Sequence, residues 1–206
     1  MRINMKIGFF MGSFDPIHIG HVNLIREALN FLDKVIVVPS GHNPWKKDIT
    51  PAPFELRMNM ISESIKHFGD KVEVSGIEST FEPPYYANKP LNYFKNIYKD
   101  DELYIICGTD TVEKIPYWKN AVIDILPFYR LLCLERDENI TQNGNVEITK
   151  TIKDKEGKEH EYLYIPIHPI SISSTHIRAL VKNNKILYPL VEEAVEKIIY
   201  NNSLYR

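Results

Sequence analysis

The sequence predicts a doubly wound α/β fold, in which helices cover both faces of a parallel sheet. Short runs rich in β-branched and aromatic residues alternate with longer stretches that place apolar residues at helical spacing. The 206 residues, 44% hydrophobic and 25% charged, are enough for one domain with a sizeable core. Neither an internal repeat nor a linker interrupts the chain, so we predict a single domain over 1–206.

The predicted strands are short and mostly apolar. They are residues 6–10, 35–38, 71–74, 103–107, 129–134 and 162–167. Parallel strands require crossover connections, and right-handed crossovers place helices on both faces of the sheet. In such folds, ligands bind beyond the carboxyl ends of the strands, where the strand order reverses.

Helices are predicted where apolar residues recur every three or four positions. These stretches are residues 22–32, 54–68, 91–98 and 189–200, the last within a C-terminal helical segment over 173–206. Proline-rich loops are expected at 40–53 and 79–90. The polar segment 136–161 contains the turn signals Asn-Gly and Glu-Gly and predicts a solvated hairpin.

Composition excludes several classes of protein. The net charge of −2 gives no basic surface for nucleic acid. No apolar run approaches the roughly 20 residues of a membrane span, and the first residues are not those of a signal peptide. Cys107 and Cys133 lie in apolar runs and suit buried, reduced thiols. We therefore expect a cytoplasmic enzyme or binding protein, with a homo-oligomer left open.

The most informative stretch follows the first strand and reads GSFDPIHIGH. Gly12 lets the backbone approach a ligand, and the amides of Ser13 and Phe14 can point at phosphate. The next helix is expected to begin near His18 and His21, which lie three residues apart on one side of a turn. Two imidazoles beside a helix N-terminus can bind phosphoryl oxygens and stabilise charge during a displacement.

Two other interpretations of these histidines stay open. They could form part of a metal site, although no third ligand has a recognisable spacing. They could also be ordinary core or capping residues. Their position on either side of Gly20, after a glycine turn, favours the phosphate site.

A second candidate anion site lies near the C-terminus, in ISISSTHIR. Ser173, Ser174 and Thr175 are suited to a helix N-cap and first turn. Arg178 lies three or four residues further on and can grip the same anion in bidentate fashion. The alternative is a plain helix cap followed by a solvated arginine.

His18-Ile19-Gly20-His21 resembles the His-x-Gly-His signature of nucleotidyltransferases, and the chain is similar to nicotinate (nicotinamide) mononucleotide adenylyltransferases. Residues 172–178 match that family's Ile-Ser-Ser-Thr-x-Ile-Arg in full. The resemblance implies a Rossmann-like fold, with ATP and a pyridine mononucleotide as substrates. It also implies adenylyl transfer, with Mg²⁺ held mainly through the ATP phosphates and no dedicated metal site on the protein.

The resemblance also implies roles for particular residues. Lys46, with Lys47 as a rival, falls where the family has a mobile phosphate contact, and Arg57 matches an arginine whose alternative role is a surface salt bridge. Asp110 could instead be a helix N-cap, and Trp118 a core residue. The implied catalytic residues are His18, His21, Lys46 and Arg178. The implied ATP-binding residues are Gly12, Ser13, Phe14, His18, His21, Gly108, Asp110, Ser173, Ser174, Thr175 and Arg178. The implied mononucleotide-binding residues are Ser13, Phe14, Lys46, Tyr86 and Trp118.

Two departures from the family pattern limit the prediction. Met11 replaces the first of two glycines, and the loop YYANKPL (85–91) keeps only Tyr86 and Leu91 of the family's Ser-Tyr-Thr-x-x-Thr-Leu. The preference between nicotinate and nicotinamide therefore stays open. The remaining alternatives are phosphopantetheine adenylyl transfer, cytidylyl transfer, and a nucleotide-sensing module without catalysis.

Overall fold

The computed structural model describes residues 4–41, 50–136, 148–168 and 170–206. Lys46 and Lys47 lie outside these residues. The strands are β1 (Lys6–Gly12), β2 (Lys34–Pro39), β3 (Val72–Val74), β4 (Glu102–Cys107), β5 (Tyr129–Arg136), β6 (Ile148–Lys153) and β7 (Glu159–Ile167). The α-helices are α1 (Ile19–Ala28), α2 (Phe54–Ile65), α3 (Asn88–Ile97), α4 (Thr109–Val112), α5 (Ser174–Lys182) and α6 (Glu193–Asn201).

In the described ranges, seven strands form one sheet in the order β3-β2-β1-β4-β5-β7-β6. Neighbouring strands pair in parallel, except for β6 and β7, which pair antiparallel. The strand order reverses between β1 and β4. The predicted α/β fold is confirmed, and the reversal marks the edge at which a ligand is expected.

Alternate residues of the central strands feed two hydrophobic clusters. In β2, Val35 and Val37 belong to one cluster, and Ile36 and Val38 belong to the other. The first cluster takes in residues of α1, α2, α5 and α6, and the second takes in residues of α3. Because both faces are covered at the centre of the sheet, the strands β1, β2 and β4 are almost entirely apolar, as expected for a buried parallel sheet.

Several element boundaries differ from the sequence prediction. Helix α1 (Ile19–Ala28) begins beside His18, as the motif predicts, but ends before Leu32, the last residue of the predicted helical run 22–32. Phe68 lies in a 3₁₀ segment, because Gly69 at φ 59° breaks the helical path. The C-terminal helix was predicted from residue 189 but begins at Glu193. Leu190 precedes it, and its carbonyl accepts a hydrogen bond from the backbone N–H of Ile19 (2.9 Å).

The turn between β6 and β7 lies within the segment 136–161 that was expected to form a hairpin, and β7 continues beyond it to Ile167. The turn places Gly157 at φ 83°, and the Asp154 carboxylate accepts hydrogen bonds from the N–H groups of Glu156 and Lys158. The Asn-Gly signal at 143–144 lies outside the described residues. Among the helices that the structure describes, none is both long enough and apolar enough to span a membrane.

Candidate active site

The loop between β1 and α1 runs along the sheet edge where the strand order reverses. Phe14 adopts φ 46°, a left-handed conformation that is unfavourable for a residue with a bulky side chain. Its ring is buried against Phe10 and packs edge-on against His21, with centroids 5.2 and 5.0 Å away. The loop is therefore held by core packing in a conformation that it would not favour alone.

The two histidines lie together at the start of α1. His18 is the N-cap residue and is 4% exposed, and its ring stacks on that of His21 with centroids 3.8 Å apart. The backbone N–H of His18 donates to Nδ1 of His21 (3.3 Å). In neutral His21 the ring proton must therefore sit on Nε2, which makes that nitrogen a hydrogen-bond donor.

Gly20 allows the two predicted motifs to meet. A Cβ atom at this position would lie 2.8 Å from Cγ2 of Ile172 and 3.1 Å from the His18 ring. Any side chain would thus push the second motif away from the first. The glycine between the histidines is required by this close approach.

Hydrogen bonds also join the second motif to the first. Ser174 Oγ donates to the Pro16 carbonyl (2.9 Å), and Arg178 Nη1 donates to the Asp15 carbonyl (2.7 Å). These contacts cross 158 and 163 residues of chain. Arg178 Nη2 also donates to Thr175 Oγ1 (3.1 Å).

The N-terminal ends of α1 and α5 therefore lie side by side. Ser173 caps α5 by accepting the His176 N–H, and neither helix carries an acidic residue in its first turn. Two helix N-termini with histidine, hydroxyl and guanidinium groups favour an anion. We call His18, His21 and residues 173–178 the anion site.

An aromatic cleft with a volume of about 560 Å³ lies at the same sheet edge. It brings together Gly12, Ser13, Tyr86 and Trp118, which were predicted to bind a nucleotide. The residues that line it are Met11, Gly12, Ser13, Val38, Ser40, Glu78, Tyr85, Tyr86, Ala87, Thr111, Tyr117, Trp118 and Lys119. Lys119 Nζ lies 4.7 Å from the centroid of the Tyr86 ring, a cation–π contact.

Gly108 and Asp110 lie at the carboxyl end of β4. Gly108 is the N-cap of α4 and Asp110 lies in its first turn, so the alternative of Asp110 as the N-cap is wrong. Thr111, the next residue, lines the aromatic cleft. The pair is therefore close to the predicted nucleotide, and its contact with ribose stays a prediction.

Arg57 corrects the expectation of a surface salt bridge. It is 1% exposed, and its guanidinium donates to the carbonyls of Ser13 (2.7 Å), Ser40 (2.8 Å), Gly41 (3.1 Å) and Ala52 (3.0 Å). Burial lowers its pKa, and the nearby Asp15 carboxylate acts in the opposite direction. Arg57 joins the loops that follow β1 and β2 to the residues that precede α2.

Glu78 is a buried acid in the lining of the aromatic cleft. It is 3% exposed, and Oε2 accepts the Gly41 N–H (2.9 Å). Burial raises the pKa of this carboxyl group, while the Gly41 hydrogen bond and the charge of Arg57 oppose the rise. Gly41 is thus held through its N–H by Glu78 and through its carbonyl by Arg57.

Sequence reasoning did not assign Glu78, Lys119 or Asp15 to the site. Glu78 lies in a connecting segment without periodicity, and Lys119 has the pattern of any surface lysine. Arg57 did carry a signal, because it lies three and four residues before the buried Met60 and Ile61, on the same helical face. A charged residue in that position is buried unless the helix turns away from the core.

The described residues contain no cluster of three or more His, Cys, Asp or Glu side chains that could hold a metal ion. The carboxylate nearest the histidines in sequence, Asp15, accepts hydrogen bonds from Ala52 N–H and Tyr205 Oη.

Fold and site together define a nucleotidyltransferase: residues 9–180 match the model of the cytidylyltransferase-like family. Relatives named as nicotinate-nucleotide adenylyltransferases cover nearly the whole chain. That of Clostridium novyi is 33% identical over 98% of this chain and 99% of its own length. That of Caldicellulosiruptor bescii is 34% identical over 98% and 100%. The chain belongs to the nicotinate-nucleotide adenylyltransferase family.

Solved structures support the same fold. The Plasmodium falciparum nicotinic acid mononucleotide adenylyltransferase complexed with NaAD superposes with a TM-score of 0.73 at 20% identity. The superposition covers 98% of both chains. The complex of that enzyme with APC gives a TM-score of 0.71.

Proposed function

We propose that this protein joins nicotinate mononucleotide to ATP, giving the deamido-dinucleotide and pyrophosphate in NAD biosynthesis. The observation that carries the proposal is the meeting of two distant motifs at one site. Ser174 and Arg178 bond the loop that leads into His18 and His21, and the aromatic cleft shares that loop through Gly12 and Ser13. The anion site and the aromatic cleft therefore share one loop, an arrangement that would suit a triphosphate beside a stacked base.

The anion site would hold the ATP phosphates. In neutral His21, Nε2 carries the ring proton. This N–H group can donate a hydrogen bond to the α-phosphoryl group, where charge develops during transfer. His18 and the amides of Gly12, Ser13 and Phe14 would contact phosphate oxygens. The departing pyrophosphate would be held by Ser173, Thr175 and Arg178. The Ser173 hydroxyl accepts a hydrogen bond from a backbone N–H, so its own O–H remains available as a donor to the pyrophosphate.

The aromatic cleft would hold the mononucleotide, with Trp118 stacked on the pyridine ring and Tyr86 beside it. Gly108 and Asp110 would receive the ATP ribose. Lys46, which lies outside the described residues, would contact the phosphates.

Little acid–base chemistry is needed in this reaction. The attacking phosphate is already an anion, so the mononucleotide can displace pyrophosphate in line without a general base or a covalent enzyme intermediate. The side chains then act by positioning the substrates and stabilising charge. Mg²⁺ would enter on the triphosphate and neutralise part of its charge. We place the reaction in the cytoplasm, where the buried thiols of Cys107 and Cys133 stay reduced.

Two other transfers by the same superfamily are the alternatives: phosphopantetheine adenylyl transfer and cytidylyl transfer. The aromatic lining of the cleft favours a flat heteroaromatic acceptor over both. A nucleotide-sensing module that binds without turnover would show ATP binding and no product.

The test is pyrophosphate release with ATP and Mg²⁺, run in parallel with nicotinate mononucleotide, nicotinamide mononucleotide and phosphopantetheine. We expect the highest kcat/KM with nicotinate mononucleotide and the dinucleotide as product. Equal rates with both pyridine substrates would broaden the proposed specificity. The proposal would be overturned if product formed only with phosphopantetheine. It would also be overturned if none of the three acceptors gave product.

A further inference from the structure

Asp15 lies at the centre of the connection between the two motifs. It is 5% exposed, and its Oδ1 accepts hydrogen bonds from the Tyr205 hydroxyl (2.7 Å) and the Ala52 N–H (3.0 Å). Its Oδ2 lies 4.0 Å from Arg178 Nη1. Both carboxylate oxygens of Asp15 therefore face groups of the protein itself and not a substrate.

The backbone of Asp15 holds Arg178. The same Nη1 that faces the carboxylate donates to the Asp15 carbonyl at 2.7 Å. With the Thr175 contact, this fixes the plane of the guanidinium and leaves further N–H groups for an anion. Any rotation of the peptide at Asp15 would therefore turn Arg178 as well.

That peptide needs support, because it follows the strained residue Phe14. A left-handed conformation is unfavourable for a residue with a side chain and persists only when neighbouring contacts enforce it. The side-chain contacts of Asp15 lie one residue away from this strain. Tyr205 supplies the shorter of its two hydrogen bonds to Oδ1.

We propose that Tyr205 is a positioning residue for the reaction, one that holds Asp15 through its hydroxyl and so aligns Arg178 with the phosphates of ATP. This proposal rests on the proposed function. Burial, together with the Asp15 carboxylate, raises the pKa of Tyr205, so the phenol stays a neutral donor throughout the physiological range.

The hydroxyl is not needed to dock the C-terminal helix. Val195 and Ile199 of α6 are fully buried in the main hydrophobic cluster, and α6 packs against α2. Replacing tyrosine by phenylalanine keeps the ring and removes only the hydrogen bond. Tyr205→Phe should therefore separate positioning from folding.

The chain offers a matched control on the same segment. The hydroxyl of Tyr200 donates to the Lys185 carbonyl (2.6 Å), away from both motifs. Tyr200→Phe removes an equivalent hydrogen bond from the same end of the chain. Its ATP affinity and kinetic constants are expected to match the wild type.

The experiment measures binding of α,β-methylene-ATP with Mg²⁺ by calorimetry, followed by steady-state kinetics and Tm. For Tyr205→Phe we expect about tenfold weaker binding of the analogue and a similar fall in kcat/KM for ATP. The KM for the mononucleotide should stay within about twofold and Tm within a few degrees.

Each outcome decides the proposal. Unchanged analogue binding in Tyr205→Phe would overturn it, as would an equal loss in Tyr200→Phe or an effect that follows Tm alone. A different observation tests the proposed function, which would be overturned if the wild type made no dinucleotide. The binding measurement needs no turnover, so it tests Tyr205 in that case too.

Discussion

The anion site and the aromatic cleft lie on the same sheet edge but are built differently. In the anion site, His18 is buried, and hydrogen bonds from Ser174 and Arg178 to backbone carbonyls join residues more than 150 positions apart. The aromatic cleft is lined by side chains of connecting segments, among them the partly exposed Tyr85, Tyr86 and Trp118 and the 54% exposed Tyr117. The groups proposed for chemistry are thus fixed by the core, whereas those proposed for acceptor recognition can change without disturbing it.

The largest expected effect concerns Arg57, which donates to the carbonyls of Ser13 and Ser40 in the lining of the aromatic cleft. Arg57→Leu would leave several buried carbonyls without a donor, and we expect the free energy of unfolding to fall by about 3–5 kcal/mol. Chemical denaturation measures this loss. Arg26→Leu, on the exposed surface of α1, is the control and should change the free energy of unfolding by less than about 0.5 kcal/mol.

His21→Ala should separate the two regions most clearly by kinetics. We expect kcat to fall by at least about 100-fold, because a donor to the developing charge is lost. The KM for the mononucleotide should change little, since the aromatic cleft is intact. His67→Ala, an exposed histidine in the 3₁₀ segment that follows α2, is the control. A variant with near wild-type kcat would remove His21 from the proposed chemistry.

Lys119→Met should affect recognition and spare the chemistry. The ammonium lies over the Tyr86 ring in the lining of the aromatic cleft, where it would attract a carboxylate on the pyridine. We expect the ratio of kcat/KM for nicotinate over nicotinamide mononucleotide to fall about two- to fivefold, as is typical of an exposed charge pair. Lys114→Met, exposed and outside the cleft lining, should leave that ratio unchanged.

The smallest effect is a dependence of stability on alkaline pH. Burial and the Asp15 carboxylate raise the pKa of Tyr205, while Arg178 and Arg57 oppose the rise. The folded state therefore retains a proton that the unfolded chain releases near pH 10, and the stability contributed by Tyr205 is lost above that pH. The difference in unfolding free energy between wild type and Tyr205→Phe should be constant at pH 7–9 and decrease above pH 10. A difference that grew with pH would contradict this assignment.

Sequence patterns were sufficient for the sheet and for the anion site, and insufficient for the rest of the site. Strand runs such as 103–107 are apolar because both faces of the sheet are covered, so periodicity finds them. The histidines and residues 172–178 form short local patterns, which can be recognised from the sequence without knowledge of the tertiary structure. Glu78 and Lys119 enter the cleft only through the path of connecting segments, which depends on tertiary packing. For Arg57 the sequence left a surface salt bridge open, and the structure excludes that alternative because Arg57 lies on the apolar face of α2.

The close approach at Gly20 has a consequence for synthesis. The His18 and Ile172 side chains meet there, and Tyr205 reaches Asp15 across 190 residues of chain. A nascent chain on the ribosome carries both histidines long before Ile172 and Tyr205 are translated. Nucleotide affinity should therefore arise abruptly once residue 205 has been added and can fold, and a fragment stalled before residue 172 would contain the histidines without a working site.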